Sequence, residues 1–586
     1  MKNLTTLLLL ITTCSFGQMA SQNALANIPQ ESIYIHHNAS LLFSGERLAY
    51  KMYCLNNSDR ALSAISKMAY VSLVANDGTI VFNHKVRLQN GEGYGDFFVP
   101  TSVATGSYKL LGYSEWMKNG KTADFFQSDV RIINPYQPIP EPYLEKIVVK
   151  DSLDTIASIK TPKEILVDKK LTNITSPFVT MTVEKSAAEK RDKVGLKISG
   201  LTESAKKGTY SLSVRHNGNI ESPKNNSLND FFTGFLKKGT TGESQKNGIN
   251  HLPELRGEII SGRVINKEKN IAEAGKKVSL SLPGKDYLLK VTTTSSDGRF
   301  YFNFDRAYDN LSAVVQLLDE DWDTYQVEID KPNLDFGQFV FNDFKISKEL
   351  EEDILRRSVQ NQIENAYVSV RSDSIVPAKH AAPFYRDLET VYVLDDYTRF
   401  NSIQETIIEI VDQVSIKNLG NGKRVFQVRP PEGLADSGVL PMVFVDGLFL
   451  KEHENVMDFS AKKLKSISFS RNKYLLGTAV FQGIISFETL EDDFVDTFYA
   501  PHIQKIDLFK PEPQKEYFAQ HYGSDEQSDR IPDFRHQLLW IPKLFLDADA
   551  QIDIYTSDVP GDCEIVLEGF TADGKPVFIR NWIKVE

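Results

Sequence analysis

The stretch that decides the fold class is VSLVANDGTIVF, residues 71–82. Its β-favouring residues 71–74 stop at the turn-forming triplet 76–78, Asn-Asp-Gly, and resume at 80–82, a strong signal for two strands joined by a hairpin turn. Outward from this hairpin, short strands separated by turn residues fill positions 33–133. Strands at such regular spacing predict a β-sandwich of about 100 residues.

The same segment contains motifs of a known domain type. Residues 32–38, SIYIHHN, precede FSGE at 43–46, and VATGSY follows at 103–108. These motifs resemble the MG2-type domain of the α2-macroglobulin family. The resemblance implies a β-sandwich and implies little about chemistry.

Two further sandwiches are predicted after this domain. Residues 134–140 are rich in proline, which lacks the N–H donor of a strand ladder, so they are expected to form a linker. Alternating strands over 141–250 then predict a second macroglobulin-like sandwich. The motif SDGRFYF at 296–302 resembles the carboxypeptidase regulatory-like β-sandwich, a structural module without activity of its own.

Mixed α/β character begins at a helix predicted for residues 349–367. Its apolar residues recur at helical spacing, and they are Leu350, Ile354, Leu355, Val359, Ile363 and Tyr367. Beyond this helix, PMVFVDG at 441–447 and GTAVFQGIISF at 477–487 resemble the plug domain of TonB-dependent outer-membrane receptors. The residues after Leu490 are too few for a receptor barrel of about 22 strands at about 10 residues each, so a plug without its barrel is expected.

The predicted fold class is therefore mostly β, a string of macroglobulin- or Ig-like β-sandwich domains with one small α/β plug-like domain. The order of domains resembles a Bacteroidetes envelope protein. The expected boundaries are 1–17 for a signal peptide, 28–134 for the MG2-like sandwich, 141–250 for the second sandwich, 255–345 for the regulatory-like sandwich, 346–495 for the helix plus plug-like domain, and 505–586 for a C-terminal β-domain resembling macroglobulin strands.

The first residues predict export. Lys2 precedes a short apolar run at 4–11, and the small residues Ser15 and Gly17 are placed for cleavage before Gln18. The alternative, a lipidated Cys14, has a poor match in the residues before that cysteine. No later stretch has the roughly 20 apolar residues of a membrane helix, so the protein is expected to be peripheral to a membrane, in the periplasm or associated with the outer membrane or cell surface.

Composition excludes one class of partner. The chain has 67 basic and 78 acidic residues and a formal net charge of −11, which is not the basic footprint of a nucleic-acid-binding protein. Cys54 and Cys563 are too few for a disulfide scaffold, and their positions in alternating apolar segments predict two buried free thiols. Neither has Gln three positions on, so the covalent thioester mechanism of macroglobulins is excluded.

No motif for catalysis, metal binding or a cofactor occurs, so we expect a non-enzymatic protein. The preferred hypothesis is a binding or scaffold protein of the bacterial envelope that docks to outer-membrane β-barrel or accessory proteins through its plug-like domain. The alternative is a thioester-less macroglobulin-like protein that engages proteases or other polypeptides. A third hypothesis, a glycan-active enzyme, lacks a recognisable carboxylate pair.

The residues predicted to bind a partner are Asp446, Gly447, Tyr474, Leu475 and Leu476. Asp446 and Gly447 are expected to form a turn, as in the resembling plug domains, and to lie in a loop that faces the partner. Tyr474, Leu475 and Leu476 are expected to form an apolar cluster in the loop before Gly477, where they could anchor an interface. The alternative is that these three residues only cover the core of their own domain.

Overall fold

The computed structural model describes Leu25 and residues 27–145, 171–238, 249–284, 288–377, 383–385, 388–420, 422–436, 438–476, 479–523 and 530–586. Strands predominate in these residues, which confirms the mostly β fold class. The described chain forms two compact units. The first contains the residues up to Leu255 together with Asp335–Pro377 and Pro511–Glu586, and the second contains Arg256–Leu334 and Ala378–Lys510. The expected signal peptide at 1–17 lies outside the described residues.

The strands are numbered in chain order. Those before Arg256 are β1 (Glu31–His37), β2 (Leu41–Phe43), β3 (Arg47–Asn56), β4 (Met68–Ala75), β5 (Ile80–Arg87), β6 (Glu92–Phe98), β7 (Gly106–Tyr113), β8 (Phe126–Ile133), β9 (Val179–Val183), β10 (Ala187–Ala188), β11 (Lys193–Gly200) and β12 (Thr209–His216). Those between Arg256 and Leu334 are β13 (Glu258–Asn266), β14 (Ile271–Ala272), β15 (Lys277–Leu282), β16 (Leu288–Thr293), β17 (Arg299–Phe304), β18 (Ser312–Leu317) and β19 (Tyr325–Ile329).

The later strands are β20 (Ser374–Ile375), β21 (Thr390–Val393), β22 (Val414–Asn418), β23 (Arg424–Val428), β24 (Met442–Val445), β25 (Leu448–Leu450), β26 (Leu464–Leu476), β27 (Ala479–Thr489), β28 (Ile503–Asp507), β29 (Lys515–Glu516), β30 (Gln537–Leu544), β31 (Ala550–Tyr555), β32 (Gly561–Phe570) and β33 (Pro576–Val585). The α-helices of the described residues are α1 (Glu203–Lys206), α2 (Leu228–Leu236), α3 (Glu351–Ala366), α4 (Ile403–Ile410), α5 (Glu454–Met457) and α6 (Phe494–Thr497).

The first sandwich of the first unit packs the sheet β1-β3-β6 against the sheet β2-β8-β7-β4-β5. Gly112 lies at the contact, because a Cβ added there would come within 2.6 Å of Ile35 Cδ1. Residues 71–82 form parts of β4 and β5, with Gly78 at a φ of 86° in the turn. The predicted hairpin is therefore confirmed.

The second sandwich of this unit combines two distant parts of the chain. One sheet has the strand order β31-β11-β9, and the other has the order β10-β33-β32-β12-β30. Val214 of β12 pairs with Ile565 of β32, and both lie in one shared core. This corrects the expectation that 141–250 and 505–586 fold as separate domains, because each set of strands buries its apolar face on the other.

The second unit begins with a sandwich of the predicted regulatory-like segment. Its sheets are β14-β13-β17, with β19 also paired to β13, and β16-β15-β18-β28. Phe300, Phe302 and Phe304 of β17 alternate into the core between them. Strand β28 comes from outside the boundaries expected for this domain, since it follows the plug-like segment in sequence.

The plug-like segment forms a mixed five-stranded sheet in the order β21-β26-β27-β24-β25, in which β24 runs parallel to β27. Helix α4 begins after Ser402, whose side chain accepts a hydrogen bond from the N–H of Glu405 at 3.2 Å. Ile403 and Ile407 of this helix are buried in the same core as Phe487. Apolar residues at helical and strand periods thus meet on one side of the sheet.

Cys54 and Cys563 are both free and fully buried. The prediction of two buried free thiols is therefore confirmed. Burial raises the pKa of the Cys563 thiol to about 12 and that of Cys54 well above its usual value, so both thiols stay protonated and unreactive.

Candidate functional site

Asp446 and Gly447 form the two-residue turn between β24 and β25. Their φ values are 46° and 79°, and Val445 pairs with Leu448 across the turn. Two successive positive φ values are typical of a type I′ turn, for which Asp-Gly is a favoured pair. The predicted role of these residues as turn formers is confirmed.

The carboxylate of Asp446 points into the protein, where only 1% of the residue is exposed. It accepts hydrogen bonds from the N–H of Thr489 at 2.7 Å, from Thr489 Oγ1 at 2.6 Å and from the N–H of Phe494 at 3.2 Å. Burial raises the pKa of this carboxyl, and the three hydrogen bonds oppose that effect. The expectation that Asp446 and Gly447 face a partner from an exposed loop is wrong, because both are buried and the carboxylate joins β24 to the end of β27.

Tyr474, Leu475 and Leu476 are the last three residues of strand β26 and not loop residues, which corrects the second expectation. They pair in order with Phe481, Val480 and Ala479 of β27. Because successive side chains of a strand point to opposite faces of the sheet, the side chain of Leu475 lies on the face opposite to those of Tyr474 and Leu476.

The two faces of this hairpin end have different environments. Tyr474 and Leu476 are partly buried and pack, with Phe481, against the cluster that contains Phe444 and Phe449. Leu475 is 75% exposed, and its cross-strand partner Val480 is 44% exposed. Tyr474 and Leu476 therefore cover the core of their own domain, and Leu475 is left to solvent beside Val480.

A β-bulge fixes the base of the hairpin end. The register shifts between Ser470 and Lys473, opposite Gly483, which has a φ of 92°. A Cβ on Gly483 would lie 2.7 Å from Ser470 O and 2.8 Å from Val428 Cβ, so a larger residue does not fit there. Arg471 Nε donates to Arg429 O at 2.9 Å, which holds the bulge against the residue that follows β23.

The sequence analysis did not identify the edge strand of this sheet, β21. Strand β21 lies at its edge and pairs only with β26 among the described strands. Val391 and Val393 of β21 are 57% and 44% exposed. The alternation of residues 390–393, Thr-Val-Tyr-Val, was the signal that could have identified this half-exposed strand. The sheet thus has exposed apolar residues at an edge strand and at a hairpin end.

Glu46 of the FSGE motif has a structural role. Its carboxylate receives a two-pronged contact from Arg357, with Nε and Nη2 each 2.8 Å away, and a further one from Arg215 Nη2 at 2.7 Å. Burial by itself would raise the pKa of Glu46, but the two guanidinium groups outweigh it and hold that pKa below its ordinary value. This ion cluster ties the motif to α3 and β12, a contact that no local pattern in the sequence indicates.

No helix in the described ranges is long and apolar enough to cross a membrane. Those ranges also contain no group of three or more His, Cys, Asp and Glu residues placed to hold a metal ion.

Comparisons with known proteins give structural likenesses at low identity. No protein-family model matches the sequence, and no curated protein matches it. The native form of Escherichia coli α2-macroglobulin is similar at 9% identity and a TM-score of 0.22, over 96% of this chain and 40% of that one. Salmonella α2-macroglobulin reacted with methylamine is similar at 9% identity and a TM-score of 0.21, over 95% and 39%.

A β-glucosidase from Listeria innocua in complex with glucose is similar over a shorter range, at 19% identity and a TM-score of 0.13, covering 18% of this chain and 16% of that one. The chain spans about 40% of the length of the macroglobulins it matches. TM-scores of this size carry no functional conclusion for this chain.

Proposed function

We propose that the protein is a non-enzymatic binding or scaffold protein of the bacterial cell envelope, exported to the periplasm or the outer membrane, and that it docks to an outer-membrane protein through its plug-like domain. The observation that carries the proposal is the exposed apolar pair Leu475 and Val480 at the end of the β26–β27 hairpin. The signal-like residues 1–17 support export.

The physical reason is the free energy gained when a partner covers this pair. Burying a leucine or valine side chain is worth about 1.5–3 kcal/mol, and a few such residues dominate many interfaces. The bulge at Ser470 and the contact of Arg471 with Arg429 O hold the hairpin end in place before binding. A preformed surface loses less conformational entropy when it docks.

The non-enzymatic part of the proposal rests on how buried charged groups are used. Asp446 is bonded to Thr489 and Phe494. Asp533, which is fully buried, is held by Arg535 through Nε at 2.7 Å and Nη2 at 2.6 Å. The carboxylate of Asp446 joins β24 to the end of β27, and that of Asp533 is paired with a neighbouring arginine, which supports a structural role for both.

The test is the double variant Leu475→Thr, Val480→Thr, in which threonine keeps the preference for strand and removes the apolar surface. The matched control is Leu311→Thr, because Leu311 is also 75% exposed and lies in the same unit. Tagged variants are purified from detergent-solubilised envelopes, and bound outer-membrane proteins are quantified by mass spectrometry. We expect the double variant to recover at least about tenfold less outer-membrane protein than the wild type. The control variant should recover the same amount as the wild type.

Equal recovery of the same partners by the double variant and the wild type would contradict this proposal. A loss that Leu311→Thr shows to the same degree would also contradict it, because it would assign the effect to general surface apolarity. Equal thermal unfolding midpoints of the three proteins establish that folding is not the cause.

A further inference from the structure

Strand β21 forms one edge of the five-stranded sheet in the second unit, and among the described strands it pairs only with β26. The direction of its backbone groups follows from the hydrogen bonds of the inner strands. The N–H of Asp446 donates to Phe487 O, so the backbone groups of Phe487 face β24. Successive residues of a strand direct these groups to opposite sides, so those of Ser486 face β26. Ser486 lies opposite Ser468, and Ser468 therefore bonds to β27.

The same alternation assigns the backbone groups of β21. Because Ser468 faces β27, the adjacent residue Ile467 faces β21, where it lies opposite Tyr392. Tyr392 therefore bonds to β26, and the N–H and C=O groups of Val391 and Val393 point away from the sheet. No hydrogen bond to these groups is found among the described residues. Both valines are exposed, so an added strand can reach them.

Strand β21 lacks the features that block strand addition at other edges. Proteins protect edge strands with proline, charged residues, bulges or a covering segment. In the first unit, edge strand β5 is covered at Lys85, whose C=O accepts from the N–H of Glu512 at 2.7 Å, and edge strand β30 contains Pro542. The four residues of β21 are Thr-Val-Tyr-Val, and they pair with β26 without a register shift. This edge is therefore suited to accept a further strand.

Acidic residues lie at both ends of β21. Glu389 precedes the strand, Asp395 and Asp396 follow it, and all three are exposed. The carboxylate of Asp395 is paired with Arg399, whereas that of Glu389 accepts a hydrogen bond from the neutral amide of Asn472. The exposed apolar edge is thus flanked by negative charge on both sides.

These charges decide which kind of strand fits the edge. Two copies of the chain paired antiparallel along β21 would place Val391 of one copy opposite Val393 of the other. Glu389 of each copy would then come close to Asp395 and Asp396 of the other copy. Like charges across a strand pair are destabilising, so a second copy does not suit this edge. A segment with basic residues at both ends meets opposite charges in either strand direction.

We infer that β21 binds an extended segment of a partner polypeptide in which lysine or arginine residues flank a short run of alternating β-branched residues. The backbone groups of Val391 and Val393 supply the hydrogen bonds, and their side chains pack beside the β-branched residues. Glu389 and Asp396 attract the flanking basic residues. Backbone pairing provides affinity, and the charges select among segments.

This surface is distinct from the hairpin end of the proposed function. Val391 lies opposite Ser468, whereas Leu475 lies further along β26, beyond the bulge that follows Ser470. At about 3.3 Å per residue, Leu475 is roughly 20 Å from Ser468 along the strand. The inference therefore holds whether or not Leu475 and Val480 bind a partner.

The probe is a fluorescently labelled, capped peptide, Lys-Lys-Thr-Val-Thr-Val-Thr-Lys-Lys. One control peptide has glutamate in place of each lysine, and a second has proline in place of each valine, which keeps the charge but removes donors of the strand. Affinity for the full-length protein is measured by fluorescence anisotropy at low salt. We expect the basic peptide to bind at least about tenfold more tightly than either control, because only this peptide has both the charges and the donors.

Two variants test the outward N–H of Val391. Val391→Pro removes this donor and keeps the bonds of Thr390 and Tyr392 to β26, because proline is tolerated on an edge strand where the N–H points outward. The matched control, Val391→Ala, loses the valine side chain but keeps the donor. We expect Val391→Pro to bind the basic peptide at least about tenfold more weakly than Val391→Ala. Hydrogen exchange at the Val391 and Val393 amides of the wild type should slow when the peptide binds.

Equal affinity of Val391→Pro and Val391→Ala would overturn the inference, as would absence of binding by the basic peptide. Equal binding of the basic and proline peptides would reduce the effect to charge alone and overturn it too. Unchanged exchange at Val391 and Val393 would assign the peptide to another surface. A dimer of the free chain that Val391→Pro dissociates, measured by sedimentation, would make a second copy the occupant, against the inference.

A further variant separates this inference from the proposed function. The double variant Leu475→Thr, Val480→Thr leaves β21 unchanged, so it should bind the basic peptide as tightly as the wild type does. Loss of peptide binding in that double variant would place the peptide at the hairpin end and overturn the inference. Loss of outer-membrane partners by the double variant, with peptide binding retained, supports both proposals as separate sites.

Discussion

Helices α3 and α4 carry apolar residues at the same helical spacing, yet they bury different kinds of side chain. In α4, Ile403 and Ile407 are at most 1% exposed and enter the core. In α3, Ile354 is buried at the start of the helix, but the residues buried further along are Arg357, Ser358 and Asn361.

Much of the apolar face expected for α3 is exposed to solvent. Leu355 is 64% exposed and Val359 is 46% exposed, although both fit the helical period. The polar face of α3 is buried because it contacts Glu46, a residue distant in sequence. The buried carboxylate of Glu46 is paired with Arg357 and accepts a further hydrogen bond from Asn361 Nδ2 at 3.3 Å. Apolar periodicity locates a helix, but a buried charge across the interface can determine which face is covered.

The largest effect is expected for Arg357→Ala. The variant removes both short contacts to Glu46 and leaves a buried carboxylate with Arg215 as its remaining cation, so the free energy of unfolding should fall by about 3–5 kcal/mol. The measurement is the denaturant midpoint of the first unit, followed by near-UV circular dichroism.

Two further variants test whether the loss of stability comes from the ion pair. Arg357→Lys keeps the charge but loses the two-pronged geometry, so it should recover part of the stability. Ile407→Ala in α4 should lose about 2–4 kcal/mol through a cavity, with no dependence on salt. If Arg357→Ala unfolds at the wild-type midpoint, the polar face of α3 contributes nothing and the comparison of the two helices fails.

A second buried carboxylate gives the next largest effect and a pH dependence. Glu568 is 7% exposed and accepts from Tyr34 Oη at 2.7 Å, where β1 faces β32. Burial raises the pKa of Glu568 from 4.5 to about 7, and the hydrogen bond from Tyr34 and the charge of Arg580 oppose this shift. Between these two values the unfolded chain ionises while the folded protein stays protonated, so this carboxyl lowers stability as pH rises from 4.5 to about 7.

The variant Glu568→Gln keeps an acceptor for Tyr34 and removes the ionisation. Relative to the wild type, it should gain about 3 kcal/mol between pH 4.5 and pH 7.5, since one pKa unit corresponds to about 1.4 kcal/mol. The measurement is the difference between the two unfolding free energies across that pH range. A constant difference would show that Glu568 ionises equally in both states.

The smallest effect is expected for Leu355→Ser on the exposed side of α3. Because this side chain is mostly in water, the change should alter the unfolding free energy by less than about 0.5 kcal/mol. A fall of more than about 1.5 kcal/mol, measured by the same denaturant titration, would show that Leu355 is buried and that α3 follows its apolar period after all.

Local elements of the candidate site were predictable, but their environments were not. The Asp446-Gly447 turn and the strands at 442–445 and 484–487 follow from local residue preferences. The burial of Asp446 does not, because its acceptor role depends on Thr489 and Phe494, which the parallel pairing of β24 with β27 brings near. Likewise, Tyr474, Leu475 and Leu476 have the composition of an interface loop, and only the pairing with β27 shows that they alternate between two faces.

The sequence by itself determined the mostly β class, the hairpin at 76–78, the position of helix α3, the Asp-Gly turn and the two buried thiols. These features depend on residue preferences and periods that act over a few neighbouring residues. Only the tertiary structure decided that strands β9 to β12 share a sandwich with those near the C-terminus, that α3 buries its polar face, and that the Asp446 carboxylate is buried. Each of these depends on contacts between residues far apart in the chain, and their free energy is set by burial and by hydrogen-bond partners that no local pattern encodes.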